Sequence, residues 1–274
     1  MAASLAADTA VRRLDTGLFE ATITNHWGVG RGAHGGYQAA IILRALLEAQ
    51  TADRRIPLTL NVHFLRPAGV GPMFVEVVAE RLGSSIAVWR VSLTQKSRPV
   101  AVALASFTNR FTQLDFQDMV QPEVPQPEQC APIVSRKDHP SYLDNWELRP
   151  CLGEPPFSGG KRAETGGWLR LIDPEPIDVC TVTAMTDAWI PALFVTRQRP
   201  AILPTLDLTI HFRNLPTSKW EFCFCHFHSS VSRGGYVEED GEIWSRSGEL
   251  LAQSRQLLFL LQSSPDSIRP SGPR

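Results

Sequence analysis

The chain reads as an α+β protein made of two copies of one unit, each a central helix wrapped by an antiparallel sheet. Three features point there. Over residues 37–49 only Gln38, Arg44 and Glu48 are polar, so a helix here is apolar nearly all round and must be enclosed by other structure. Residues 58–107 are rich in β-branched side chains and partly alternating, the pattern of consecutive antiparallel strands rather than of strand alternating with helix. Finally, Val62-His63-Phe64-Leu65-Arg66-Pro67 resembles Ile210-His211-Phe212-Arg213-Asn214-Leu215-Pro216, an offset of 148, and the last two strands of each half match at an offset of 150.

The elements follow in order. Residues 1–10 are expected to form a loose tail and 18–23 a short strand. The glycine-rich stretch Gly28-Val29-Gly30-Arg31-Gly32 then leads through His34-Gly35-Gly36 into the buried helix. The first N–H groups of a helix have no helical partner, and glycine lets another group approach them. This entry therefore suits a carbonyl oxygen or an anion, and equally a turn that needs glycine on steric grounds. Residues 58–65 alternate, with Leu60, Val62 and Phe64 on one face and Asn61 and His63 on the other. Arg66-Pro67-Ala68-Gly69 is a turn, and 74–80, 86–94 and 100–107 read as three further strands. Between residues 113 and 165 lie eight of the 21 prolines and few periodic apolar runs, the mark of a linker over 113–164, draped on the surface and anchored by Tyr142, Trp146 and Phe157. The order then returns: a strand at 168–172, a helix at 178–189, and strands at 206–213, 220–228, 235–244 and 250–261. The units are thus 10–112 and 165–262, with tails at 1–9 and 263–274.

Composition narrows the function. With 274 residues, 43% apolar and 20% charged, the chain has ample core material. A net charge of −1 without charged blocks argues against nucleic acid as a partner. No stretch approaches the roughly 20 apolar residues of a membrane span. The N-terminus lacks the basic start of a signal peptide, and five irregularly spaced cysteines suit a reducing compartment, so a cytoplasmic protein is expected.

Several motifs fall away. Gly28-Val29-Gly30-Arg31-Gly32-Ala33 meets a loose dinucleotide-binding pattern, but four successive strands follow instead of a βαβ unit. The serine-hydrolase elbow G-x-S-x-G is absent. In Cys223-Phe224-Cys225-His226-Phe227-His228, strand alternation separates the cysteines from the histidines, so the four do not form one metal site. Arg31, Arg66 and Arg98 are candidates to meet phosphate groups of a ligand and equally ordinary surface charges.

The set of motifs resembles the double hot-dog acyl-CoA thioesterases of the acyl-CoA thioesterase II type. The resemblance rests on His34-Gly35-Gly36 and Val62–Pro67 in the first half. In the second it rests on Thr186-Asp187-Ala188-Trp189, residues 205–212, Ser232-Arg233-Gly234-Gly235 through Asp240-Gly241, and residues 250–256. It implies two tandem hot-dog units, each an antiparallel sheet around a central helix, and hydrolysis of an acyl thioester in lipid or polyketide acyl metabolism. The substrate would be acyl-CoA or a carrier-protein thioester, with no metal or other cofactor, and a homo-oligomer is compatible. The family's catalytic aspartate, threonine or serine, and glutamine fall on Asp187, Thr205 and Gln256. Where the family commonly continues Glu-Gly after the glutamine, this chain has Leu257-Leu258, which leaves Gln253 as a rival to Gln256.

The chemistry stands on its own terms. A carboxylate, a hydroxyl and an amide can hold one water from three sides while the carboxylate takes its proton. Asp187, near a helix C-terminus and beside Trp189, is expected to sit where a base is favoured. Backbone N–H groups at Gly35 and Gly36, with His34, would receive the thioester oxygen. On that view Gly36→Val depresses turnover more than folding. Two alternatives remain: a hydratase or dehydratase using His34 with Asp187 as an acid–base pair, and a non-catalytic acyl-thioester-binding protein.

Overall fold

The computed structural model describes residues 3–261 apart from 51–54, 113, 135–138 and 217–218; the expected tail at 263–274 lies outside the described residues. In the first half, α1 (Leu5–Asp8), β1 (Arg12–Asp15) and β2 (Leu18–Ile23) precede a two-stranded turn, β3 (Gly28–Val29) with β4 (Gly32–Ala33). Helix α2 (Gly35–Ala49) follows, then β5 (Ile56–Phe64), β6 (Gly71–Leu82), β7 (Ile86–Gln95) and β8 (Arg98–Thr108). The second half runs β9 (Trp146–Gly153), β10 (Ala163–Leu171), α3 (Val179–Met185), α4 (Leu193–Thr196) and β11 (Thr205–Phe212). It ends with β12 (Cys223–Ser229), β13 (Ser232–Arg233), β14 (Tyr236–Trp244) and β15 (Leu250–Phe259).

Ten of the fifteen residues of α2 are buried, including Gln38, as its all-round apolar character requires. The enclosing sheet has thirteen strands in the order β1-β2-β6-β7-β8-β5-β11-β15-β14-β12-β10-β9, with β13 on β14. Read outward from the centre, each half repeats the same connectivity: β5-β8-β7-β6-β2-β1 against β11-β15-β14-β12-β10-β9. Strands β5 and β11 join the halves antiparallel, and Asn61 pairs with Thr209. These two residues are 148 positions apart, the offset of the sequence repeat, and the Asn61 amide donates to the Thr209 hydroxyl at 2.6 Å. A pseudo-twofold axis therefore passes through this pair, since equivalent residues meet each other only on such an axis. One continuous apolar core takes in α2, α3 and the inner faces of both half-sheets.

Three expectations about the chain's organisation are corrected. The N-terminal tail is anchored: Ser4 caps α1 through the Ala7 N–H, and Leu5 is buried. The linker of residues 113–164 carries a full strand, β9, paired along its length with β10. Its proline content hid that strand, because prolines on an edge strand remove no ladder bond the sheet needs, and Pro150 sits on such an edge. The earlier part of the segment does drape: the Pro125 carbonyl accepts from the Trp168 indole at 2.8 Å, and Cys130 packs with Trp168, Phe224 and Trp244. Third, the second helix ends at Met185, not 189; Asp178 caps its start through the Thr181 N–H, and Asp187 lies in the turns beyond its end.

Candidate active site

Helices α2 and α3 cross where Gly36 meets the end of α3. A Cβ on Gly36 would lie 2.6 Å from the Ala184 carbonyl oxygen, and one on Gly35 would lie 2.8 Å from Asp187 Oδ2. Both positions thus need glycine for a close approach. That approach brings Asp187 to the start of α2, where the Gly36 N–H donates to Oδ2 at 2.8 Å and His34 Nε2 lies 3.2 Å from the same oxygen. The Asp187 side chain is 10% exposed, so it does not point into bulk solvent. The environment differs from the one expected. The N-terminus of α2, and not only the end of α3, meets the carboxylate. Trp189 turns away to give its indole N–H to Thr165 Oγ1 at 3.0 Å.

Gly36 is therefore corrected on two counts. Its N–H serves Asp187 rather than a carbonyl oxygen, and replacing it with valine would force a helix contact apart, so folding would suffer together with turnover. His34, at the N-cap of α2 and 6% exposed, is stacked on Tyr142 with ring centroids 4.0 Å apart. Tyr142 comes from the connecting segment, and burial first, then the charges of Asp187 and Glu239, push its phenol up from its ordinary range.

The other candidates lie on β11 and β15. Simple alternation puts Thr205 on the opposite face from Leu208, Ile210 and Phe212. A register shift between Thr205 and Asp207 changes its phase, pairing Thr205 with the buried Leu258 on the inner face. There the Thr205 hydroxyl donates to Gln256 Oε1 at 2.9 Å. The rival Gln253 faces the other way, accepting from Arg213 Nε at 2.8 Å. So Gln256 and not Gln253 meets Thr205.

A further residue escaped the sequence reading. Glu239 lies directly across from Gln256 on β14 and is 3% exposed. Its Oε1 accepts from Gln256 Nε2 at 2.8 Å and its Oε2 from the Ala192 N–H at 2.5 Å. Burial pushes its carboxyl up to about 7; the Ala192 and Gln256 hydrogen bonds oppose this, while the charges of Asp187 and Glu238 reinforce it. The signal was in the sequence: Val237, Glu239, Gly241 and Ile243 form one inward row, and a carboxylate in such a row needs partners. The candidate site thus has two parts, a carboxylate held at a helix N-terminus and a Thr205–Gln256–Glu239 chain, and the charge of the first raises the carboxyl of Glu239.

The cysteine–histidine stretch lies elsewhere, on β12. Cys223 and Cys225 are buried, while His226 and His228 face the other side, beside Glu164, Glu242 and Asp240.

A helix enclosed by an antiparallel sheet, duplicated about a pseudo-twofold axis, defines a double hot-dog protein. Family models for the acyl-CoA thioesterase N-terminal domain and C-terminal domain match residues 23–108 and 127–260. The chain belongs to the double hot-dog acyl-CoA thioesterase family of the acyl-CoA thioesterase II type. The C-terminal match begins inside the segment read as linker, ahead of β9. A hot-dog protein of unknown function from Alicyclobacillus acidocaldarius superposes with a TM-score of 0.88 at 25% identity, covering 96% of this chain and all of that one. An acyl-CoA thioesterase II from Mycobacterium marinum does so with a TM-score of 0.77 at 20% identity, over 95% and 99% of the two chains. An uncharacterized protein of Mycobacterium tuberculosis is 24% identical, over 89% of this chain and 91% of its own.

Proposed function

We propose that the protein hydrolyses acyl thioesters, acyl-CoA first and carrier-protein-bound acyl groups second, using a water held between Asp187 and Thr205. The observation that carries this reading is the placement of Asp187, fixed through Oδ2 by Gly36 and His34, in electrostatic reach of the Thr205–Gln256–Glu239 chain. With Oδ2 engaged, Oδ1 is the oxygen that takes the water's proton. The water oxygen attacks the carbonyl carbon, whose oxygen gains charge against the Gly35 N–H. Collapse breaks the C–S bond, and the departing thiolate takes up the proton, giving free acid and thiol. None of these steps calls for a metal or redox group.

Asp187→Asn keeps an oxygen for the Gly36 N–H but removes the base. Turnover, followed as thiol release across acyl-CoA chain lengths, should fall by roughly 10²–10⁴-fold with little change in stability. A wild-type rate in that variant would sink the mechanism. A second reading, hydration or dehydration, is favoured by the contact between His34 Nε2 and Asp187 alone. It is separated by its readout: a change in enoyl absorbance with no thiol released.

A further inference from the structure

We infer that Glu239 sets the direction of a hydrogen-bond relay through Gln256 to Thr205, so that the Thr205 hydroxyl oxygen meets the attacking water as an acceptor. The inference rests on the hydrolytic reading above. The Ala192 N–H can only donate, so Glu239 Oε2 accepts. An ionised Oε1 also only accepts, and Gln256 can meet it only with its NH2 group. The planar amide then turns its oxygen to Thr205, and the Thr205 hydroxyl gives its one proton to that oxygen. What remains on Thr205 Oγ1 is lone-pair density.

This direction matters for the chemistry. A water between Asp187 and Thr205 then donates one proton to each, leaving both its lone pairs free to face the carbonyl carbon. In the reversed relay Thr205 would donate to the water, tying up one of those lone pairs and drawing electron density from the oxygen that must attack. Both oxygens of Glu239 are engaged by Gln256 and Ala192, so Glu239 is a positioning residue and not the base.

The titratable groups that interact with Glu239 are Asp187 from the turn after α3, Tyr142 from the connecting segment and Glu238 on the other face of its own strand, with His34 beyond against Asp187. Burial and the two carboxylates favour its protonation, and a proton on Oε1 permits the reversed relay. Activity should therefore rise with pH as Glu239 ionises.

The test is Glu239→Gln in the full chain. Its amide oxygen can satisfy Ala192, but its NH2 group then faces Gln256 and turns that amide over. For acyl-CoA hydrolysis kcat should fall about tenfold or more, KM should stay within about threefold, and the rising limb of the pH profile near neutrality should vanish. Independently of activity, the side-chain amide resonance of Gln256, identified by its loss in Gln256→Ala, should titrate in the wild-type protein across that limb. In Glu239→Gln it should not. Wild-type kcat and pH profile in Glu239→Gln, or a Gln256 amide signal insensitive to pH in the wild type, would overturn the relay. If the wild-type protein released thiol from neither acyl-CoA nor a carrier-protein thioester, the hydrolytic reading alone would fall, and the amide titration would still decide the relay.

Discussion

At Glu239 the demands of stability and chemistry pull in opposite directions. Its carboxyl ordinarily ionises near 4.5 and is raised to about 7 in the folded protein, chiefly by burial. Between those values the folded state holds a proton that the unfolded state has lost, so stability falls as pH rises through the interval. The full cost above neutrality is roughly 3 kcal/mol. Urea unfolding at pH 5 and pH 8 should show this decline in the wild-type protein and a smaller one in Glu239→Gln. Equal slopes in the two proteins would mean that Glu239 is not the group responsible. The ionised form that destabilises the fold is the one the relay requires, the kind of conflict met at functional sites.

Among the elements, the crossing of α2 and α3 matters most, because it brings a residue of the second half to the helix that opens in the first. The crossing is close only because Gly36 has no side chain against the Ala184 carbonyl. Gly36→Ala should therefore push the helices apart, costing about 1–3 kcal/mol of stability and loosening the Asp187 contact. Thermal unfolding beside kcat would detect both; unchanged stability would mean the helices can shift freely. On β11 the comparable device is the register shift that turns Thr205 inward. A strand that kept strict alternation through residue 205 would have faced the hydroxyl away from Gln256.

For the whole molecule, the duplication brings candidate residues of the two halves together, His34 and Gly36 from the first and Asp187 from the second. Strands β5 and β11 complete a single sheet, and residues from both halves share one core. A fragment ending at residue 112 would leave the β5 edge unpaired and strip the cover that α3 gives to α2. Such an edge and face invite association. The fragment should form dimers or larger aggregates in size-exclusion chromatography with light scattering. A stable monomer would show that the first half folds without the second.

Much of this was legible in the sequence, for physical reasons. A helix with three polar residues in thirteen has to be enclosed. Period-two patterning placed Leu60, Val62, Leu208 and Ile210 inside, and the offset of 148 showed the duplication; only the pairing of Asn61 with Thr209 showed where the axis lies. Asp187, Thr205 and Gln256 were picked out by resemblance, not by pattern, since nothing local distinguishes Asp187 from any aspartate after a helix. Local pattern misled where long-range contacts outweigh it. Prolines masked β9 because an edge strand tolerates them, and α3 stops short because the chain must turn to bring Asp187 to α2. The Gly36 N–H, open to a substrate when read along the chain, is taken by a carboxylate 151 residues away. The inward phase of Glu239 was legible along its strand, but its partners became visible only when β14 lay beside β15, because what a buried carboxylate does depends on the groups that folding brings to it.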